Sequence, residues 1–260
     1  MTTAASECNS EVLNEELSYD ISFLIFSRAA DAVLTIHRRP DKDSSRWYEA
    51  VLEAKTRGFV GLLRSTEHTY RSLMRFDEEG NHLLSIEFRK DVIWGLFSPT
   101  KRSTRFVFDE SKRVIMRRSE IDGTVELVED MVIPKGIGRY EDLLSALYNL
   151  RNGVYGPLLA GRDIILHTVP FPKKYGRDKG KKIDRFTIHI ATEKEKSDYR
   201  AEDKADFDLN TLVFIDVPAG LFDDKKSVRG RIWADACLTP TLIIVEDVMI
   251  FGDVIGRLKK

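Results

Sequence analysis

The chain has 260 residues, of which 42% are hydrophobic and 32% are charged, and its formal net charge is −1. This composition is typical of a folded globular protein and excludes a disordered chain. A net charge so close to zero gives no general attraction to nucleic acid, and the sequence lacks the run of about 18 apolar residues that predicts a membrane-spanning helix.

Segments with the alternating pattern of β-strands dominate the sequence. The predicted strands are 19–27, 30–38, 46–56, 68–76, 82–90, 102–108, 113–120, 124–132, 162–169, 182–193, 211–217, 228–235, 240–246 and 248–258. Because strands follow strands, we expect mostly antiparallel pairing, and a sheet of this size must curl or close. The sequence therefore predicts a mainly β fold, with a strongly curved antiparallel sheet or open β-barrel and one or two helices, in a single domain over residues 17–260.

One helix is predicted at YEDLLSALYNLR, residues 140–151. Leucines and Tyr148 recur at helical spacing, and an Asn-Gly pair follows the last turn. Glu141 and Asp142 fall in the expected first turn, where acidic residues suit the helix dipole. We therefore expect an amphipathic helix that packs across an apolar surface of the sheet.

The first 16 residues are polar and are predicted to form a flexible tail. They fit a cytoplasmic protein, or a chain from which a signal peptide has been removed, because TTAAS at 2–6 has the small residues of a cleavage site. The two cysteines, Cys8 and Cys237, fit either one disulfide bond or two separate thiols.

The sequence contains no motif that indicates catalysis or a metal. None of the five histidines has a spacing typical of zinc sites. His167 and His189 lie on neighbouring predicted strands, where they form either a facing metal pair or separate polar positions on a sheet, and we expect the latter. A nucleophile elbow and a phosphate-binding loop are both missing from the sequence. We therefore expect neither an enzyme nor a cofactor.

Apolar runs at 23–26 and 92–97 predict strands that are buried on both faces. They indicate either a filled core under the helix or a cavity large enough for a lipid. The candidate cavity residues are Phe23, Ile25, Trp94 and Phe97.

A basic loop at 171–182 begins a charged insert that extends to about residue 211. The loop carries six basic residues and two aromatic ones. It is either a solvated loop or the mouth of the ligand site, where Lys173, Lys174 and Arg177 would hold an anionic headgroup.

Four segments resemble a bacterial family known as domain of unknown function 3108. The helix pattern D-x-L-S-A-x-Y-x-x-R is matched by Asp142, Leu144, Ser145, Ala146, Tyr148 and Arg151. The segment LSYDISFLIFSRAADAVLTI is similar to the family's opening hairpin, and VPAGLFD at 217–223 is similar to its PAG turn. The last segment, IWADACLTPTLIIVEDVMIFGDVIGRL, resembles its closing pattern through Trp233, Asp235 and Pro240. The resemblance covers residues 17–259, and the charged insert departs from it.

The resemblance implies a β-rich protein of the Gram-negative periplasm, exported by a signal peptide, with a fold like the half-barrels of periplasmic lipoprotein carriers. It implies no catalytic residues. The matched residues Asp142, Tyr148, Arg151, Trp233 and Asp235 are given structural roles: Tyr148 packs the helix on the sheet, and Arg151 pairs with a carboxylate or caps carbonyl groups.

Together these features predict a monomeric periplasmic protein that binds a lipid or another hydrophobic ligand in cell-envelope biogenesis or transport. Peripheral contact with a membrane is expected, and a nucleic acid partner is not. The alternative is a periplasmic scaffold with a filled core, which docks an envelope protein through a sheet edge or the helix face.

Overall fold

The computed structural model describes residues 13–23, 26–39, 46–58, 61, 65–77, 79, 81–138, 140–168, 185–206, 211–217, 227–249 and 252–259. These residues contain fourteen strands and two helices. The strands are β1 (Glu15–Phe23), β2 (Phe26–Arg38), β3 (Trp47–Thr56), β4 (Thr66–Asp77), β5 (His82–Trp94), β6 (Thr100–Asp109), β7 (Val114–Ile121), β8 (Thr124–Val132), β9 (Asp163–His167), β10 (Arg185–Ile190), β11 (Thr211–Val217), β12 (Val228–Ala234), β13 (Pro240–Met249) and β14 (Gly252–Leu258). The helices are α1 (Leu143–Arg151) and α2 (Glu193–Asp203). The prediction of a mainly β, antiparallel fold with one or two helices is confirmed.

Several predicted boundaries differ from the structure. The predicted strand 19–27 spans parts of two strands, because β1 ends at Phe23 and β2 begins at Phe26. α1 begins at Leu143 and not at residue 140, since Asp142 has an extended backbone (φ −87°, ψ 174°) and caps the helix. α2 was not predicted, and it lies within the expected charged insert. Neither α1 nor α2 is long and apolar enough to cross a membrane.

The chain divides into two compact units, and the prediction of a single domain stays a prediction. The first unit contains Met1–Asp20 and Arg28–Val154. Its strand order is β8-β7-β6-β5-β4-β3-β2-β1, and the pairs from β2 to β8 are antiparallel. Among the described residues this order is linear, with β8 at one end.

One face of the first unit's sheet carries α1, and we call it the helix-bearing face. Its buried centre is a row of side chains paired in register across β3 to β6: Ala50, Ser72, Phe88 and Phe106. All four side chains are fully buried. Because successive residues of a strand point to opposite faces, the register assigns every second residue of β3, β4 and β6 to this face. In β5 an irregularity of register shifts the alternation, so that Leu83 and Ser85 share this face with Phe88.

The second unit contains Ile21–Ser27 and Tyr155–Lys260. Its strands β9 to β14 follow the order β14-β13-β12-β11-β10-β9, and every pair is antiparallel. Leu212, Phe214, Trp233 and Leu242 form its core, and Tyr199 of α2 packs against them. The rings of Tyr199 and Phe214 meet edge to face, with centroids 5.3 Å apart.

The apolar run at 92–97 is not buried on both faces as predicted. β5 ends at Trp94, and Gly95 turns the chain with a φ of 112°, a conformation that residues with a Cβ rarely adopt. Leu96 is 45% exposed and Phe97 is 100% exposed in the turn that follows. The run therefore ends in a surface turn.

Cys237 follows β12 and is disulfide-bonded. The sequence has one other cysteine, Cys8, which lies outside the described residues.

Candidate functional site

A buried carboxylate fixes the start of α1 to the sheet. Oδ1 of Asp142 accepts hydrogen bonds from the backbone N–H groups of Leu144 (2.8 Å) and Ser145 (3.0 Å). Its Oδ2 accepts hydrogen bonds from the hydroxyls of Ser72 on β4 (2.6 Å) and Ser85 on β5 (2.5 Å). Asp142 is fully buried, and burial raises its pKa although these hydrogen bonds favour the charged form.

A second buried carboxylate lies beside the first. Glu141 accepts hydrogen bonds from the hydroxyl of Ser145 (2.8 Å) and from the side-chain amide of Asn149 (3.1 Å). Asn149 also exchanges two hydrogen bonds with the backbone of Leu83, as a neighbouring strand would. Contrary to the expectation for α1, Glu141 and Asp142 thus precede the helix and are buried in a polar network. This network holds α1 in place.

The far end of α1 is fixed by an ion pair. Arg151 donates from both terminal nitrogens to the carboxylate of Glu15 on β1, and its side chain is only 2% exposed. The ring of Tyr148 lies beside the guanidinium and is fully buried. Burial is the main cause of the raised pKa of Tyr148. Arg151 therefore has a carboxylate partner, and Tyr148 packs α1 on the sheet.

Beyond α1, the helix-bearing face continues as a surface on which partly buried cations lie over aromatic rings, of which Tyr70 and Phe106 are buried and Trp94 is partly buried. We call this surface the cationic aromatic cluster, and its members are Tyr70, Lys90, Trp94, Arg102, Phe106 and Arg117. Register aligns Tyr70, Lys90, Thr104 and Ser119 across β4 to β7, and the next row contains Val92 and Arg102. Along the strands, these two rows lie on one side of the row that contains Ser72. Leu83 and Ser85, which form hydrogen bonds with Asn149 and Asp142, lie on the other side.

Each cation of the cluster lies over an aromatic ring. Lys90 Nζ is 5.8 Å from the centroid of Tyr70, and Arg102 Cζ is 5.9 Å from that of Trp94. Arg117 Cζ is 5.9 Å from the centroid of Phe106. The positive groups are thereby held on an apolar base at distances typical of cation–π contacts.

The helix-bearing face of the described strands β4 to β7 has no carboxylate. The nearest one in register is Glu129 on β8, which is 2.9 Å from Arg117. On the opposite face, cations and carboxylates alternate in ion pairs such as Arg105–Glu87 (2.6 Å) and Arg118–Glu120 (2.6 Å). The charged side chains that β5 to β7 place on the helix-bearing face in register are therefore basic, whereas the carboxylates of Glu141 and Asp142 lie on the same face in the network that holds α1.

Arg117 is a largely buried cation that is hydrogen-bonded to Glu129. Its side chain is 11% exposed, and its Nε has no hydrogen-bond partner among the described residues. Burial lowers the pKa of Arg117, and the hydrogen bond to Glu129 only partly offsets that effect. Nearby, the hydroxyls of Thr104 and Ser119 are 3.2 Å apart and add two further polar groups.

The structure does not give the predicted cavity residues Trp94 and Phe97 a common buried environment. Trp94 belongs to the cationic aromatic cluster, whereas Phe97 is fully exposed in the turn after β5. Phe23 belongs to the second unit, where its ring centroid is 5.8 Å from that of Phe26. Ile25 and the headgroup residues Lys173, Lys174 and Arg177 lie outside the described residues. Sequence reasoning missed Lys90, Arg102 and Arg117, which only the register brings together.

Trp233 and Asp235, which matched the family pattern in the sequence, stabilise the end of α2 and the turn before β13. The indole N–H of Trp233 donates to Asp203 (2.8 Å) at the end of α2, and Arg231 lies 2.9 Å from the same carboxylate. Burial raises the pKa of Asp203. Asp235 accepts hydrogen bonds from the backbone N–H groups of Cys237 and Thr239, both 2.9 Å long, and so closes the turn before β13.

The two histidines of β9 and β10 are not a facing pair. His167 is opposite Arg185, and His189 is opposite Asp163, so they occupy different ends of the strand pair. His189 Nδ1 is 2.6 Å from Asp163, and its Nε2 is 3.3 Å from Glu195. The hydrogen bond with Asp163 is the main reason that the pKa of His189 is raised. The described residues contain no group of three or more acidic, Cys or His residues placed to hold a metal ion.

The fold is similar to that of a crystal structure from Brucella abortus described as a β-barrel-like protein of domain of unknown function DUF1849. The TM-score is 0.51 at 10% sequence identity, and the match covers 96% of this chain and 97% of that chain. At this identity the likeness concerns the fold alone, and it supports a β-barrel-like domain. No protein-family model matches the chain, so membership of domain of unknown function 3108 is not supported. No curated protein matches it either.

Proposed function

We propose that the protein binds an amphiphilic anion on the cationic aromatic cluster. The ligand would be a lipid-like molecule whose hydrophobic body ends in a carboxylate or a phosphate. The observation that carries the proposal is the position of Lys90, Arg102 and Arg117 over aromatic rings, on a face without carboxylates from β4 to β7 among the described residues.

The arrangement provides hydrogen-bond donors for the anionic group and an apolar surface for the hydrophobic body of such a ligand. Lys90 and Arg102 are diagonal neighbours on β5 and β6, so their Cα atoms are roughly 7–8 Å apart and one anionic group can lie between their flexible side chains. Thr104 completes this pocket of donors. Leu52, Val92 and other partly buried apolar residues of the same rows offer contact for an acyl chain.

We propose binding and not catalysis. The buried carboxyls that would be candidates for acid–base chemistry, Glu141 and Asp142, accept hydrogen bonds that hold α1 on the sheet. Both are almost fully buried. Their environment suits a structural role, since a general acid or base needs to reach a substrate.

We also propose that the protein is periplasmic, as expected at the level of the sequence. The disulfide at Cys237 supports this location, because disulfides persist in oxidising compartments. An anionic amphiphile from the cell envelope is the kind of ligand available there.

The proposal is tested by competition against the fluorescent anion 1-anilinonaphthalene-8-sulfonate. Decanoate, decanol and decyltrimethylammonium have the same chain length and carry negative, zero and positive charge. We expect decanoate to compete best, and each added methylene to strengthen binding about fourfold, since a buried methylene contributes about 0.8 kcal/mol. Equal competition by decanol, or stronger competition by the cation, would contradict the proposal.

Neighbouring residues supply matched control variants. Lys90→Gln and Arg102→Gln remove charge from the helix-bearing face, and each should weaken decanoate binding about fivefold, or roughly 1 kcal/mol. Arg89→Gln and Lys101→Gln remove the same charge one residue away on the opposite face, and they should leave binding unchanged. If all four variants weakened decanoate binding equally, the binding would depend on the net charge of the protein and not on the helix-bearing face. Trp94→Ala tests the predicted aromatic contact.

A further inference from the structure

β8 is an edge strand with unusual exposure of apolar residues. It is the end of the first unit's strand order, and β7 is its paired neighbour among the described residues. Val125, Val128 and Val132 are 44%, 67% and 74% exposed. Natural edge strands usually avoid such surfaces because their free backbone groups pair with other chains.

The exposed valines extend into an apolar patch on β7. Val132 is opposite Val114, and Asp130 is opposite Met116, which is 40% exposed. Val128, Asp130 and Val132 lie on one side of β8 because alternate residues share a face. The free edge is therefore bordered by two valines with one carboxylate between them.

Part of the usual protection of an edge is missing from β8. The strand contains no lysine, arginine or proline, and its charged side chains are the carboxylates of Glu126, Glu129 and Asp130. The shift of register between Ser119 and Glu120 makes Glu126 an extra residue, and it leaves Leu127–Val132 in regular pairing with β7. A bulge thus distorts the beginning of the edge, while six residues remain straight enough to pair.

We infer that β8 binds an extended peptide segment whose side chains alternate between apolar and basic on one face. The added strand would place apolar residues opposite Val128 and Val132 and a lysine or arginine opposite Asp130. The backbone edge supplies hydrogen bonds, and the alternating side chains supply specificity. This partner is independent of the amphiphile proposed for the helix-bearing face.

A second copy of the chain fits this edge poorly in the register that would pair the whole regular segment Leu127–Val132. Antiparallel self-pairing centred between Glu129 and Asp130 sets these two carboxylates opposite each other. Centring on either residue sets that carboxylate opposite its own copy. Like charges directly opposite each other destabilise strand pairing. Charge complementarity therefore favours a basic partner.

The test is fluorescence anisotropy with a labelled peptide that contains Val-Thr-Lys-Thr-Val and a matched peptide that contains Val-Thr-Glu-Thr-Val. We expect the full-length protein to bind the lysine peptide about tenfold more tightly. Asp130→Lys should reverse this preference, while Glu53→Lys, the same charge change on an exposed residue of β3 within the sheet, should leave it intact.

Circular dichroism and thermal melting first establish that Asp130→Lys folds like the wild type. A Val128→Lys variant then tests the apolar contact separately and should weaken binding of both peptides. Equal binding of the two peptides by the wild type, or a preference that Asp130→Lys does not change, would refute the inference. So would a dimer of the wild type that Val128→Lys dissociates, since the occupant would then be a second copy.

Discussion

Replacing Asp142 with alanine should destabilise the first unit by about 2–4 kcal/mol. The change removes the acceptor for the N–H groups of Leu144 and Ser145, and the loss of such a cap typically costs about 1 kcal/mol. It also leaves the buried hydroxyl of Ser72 without its acceptor, which costs about 1–3 kcal/mol. Ser85 loses less, because it also donates to Ser145 Oγ at 2.8 Å. Urea unfolding followed by circular dichroism measures the difference.

Asp142→Asn separates the charge of this residue from its hydrogen bonds. Burial raises the folded-state pKa of Asp142, so between its ordinary pKa and the raised value the folded protein binds more protons than the unfolded chain. This contribution to the free energy of unfolding is therefore largest at low pH and falls as pH rises through the raised pKa. Asp142→Asn should abolish that fall while keeping the cap, since an amide oxygen also accepts from the helix N–H groups.

Asp130→Ala is the control for both variants, because Asp130 is exposed on β8 and such substitutions change stability by about 0.5 kcal/mol or less. The reasoning is refuted if Asp142→Ala costs no more than this control. It is also refuted if the wild type and Asp142→Asn lose stability in parallel as pH rises from 4 to 8. The first result would mean that the network around Asp142 does not hold α1 on the sheet, and the second that burial does not raise the pKa of Asp142.

Two further predictions concern the second unit. Trp233→Phe should destabilise it by about 1–3 kcal/mol in urea unfolding, because the buried carboxylate of Asp203 loses an N–H donor at 2.8 Å; an unchanged midpoint would contradict this role. The pKa of His189, read from the imidazole proton shifts by NMR, should lie above 6.5 and fall when Asp163 is replaced by Asn. Since the pKa of His189 is raised in the folded protein, its contribution to stability is complete below its ordinary pKa and is lost as pH rises through the raised value. His189→Gln should therefore remove this pH dependence of the melting temperature.

The two helices show which elements the sequence could reveal. α1 was predicted because its leucines and Tyr148 form an apolar stripe. α2 has no such stripe: Tyr199 packs on the core, Asp203 is buried, and Glu202 and Asp203 form ion pairs with Arg231. The capping box of Thr192 and Glu195 was the available signal for its start. A helix held by long-range charges is invisible to hydrophobic periodicity.

The candidate site depended on information that one sequence does not contain. Trp94 was identified from its apolar run, but Lys90 and Arg102 look like ordinary alternating polar residues of strands. Only the register shows that they share a face with Trp94 and that their acidic neighbours, such as Asp91, lie on the other face. Likewise, Ser72 is 70 residues from Asp142 in the chain, so their hydrogen bond could not be inferred from local pattern.

The dimensions of α1 explain why one face of the sheet has two kinds of surface. A helix of nine residues is about 13 Å long, whereas β5, with 13 residues, extends over about 44 Å. α1 therefore covers only part of its face, and its hydrogen bonds to Ser72, Leu83 and Ser85 fix which part. The remaining rows lie beyond its reach and carry Lys90 and Arg102 over aromatic rings. If the polar network were lost and α1 shifted along β5, the cluster would be covered, so Asp142→Ala should also weaken decanoate binding, whereas Asp142→Asn should not.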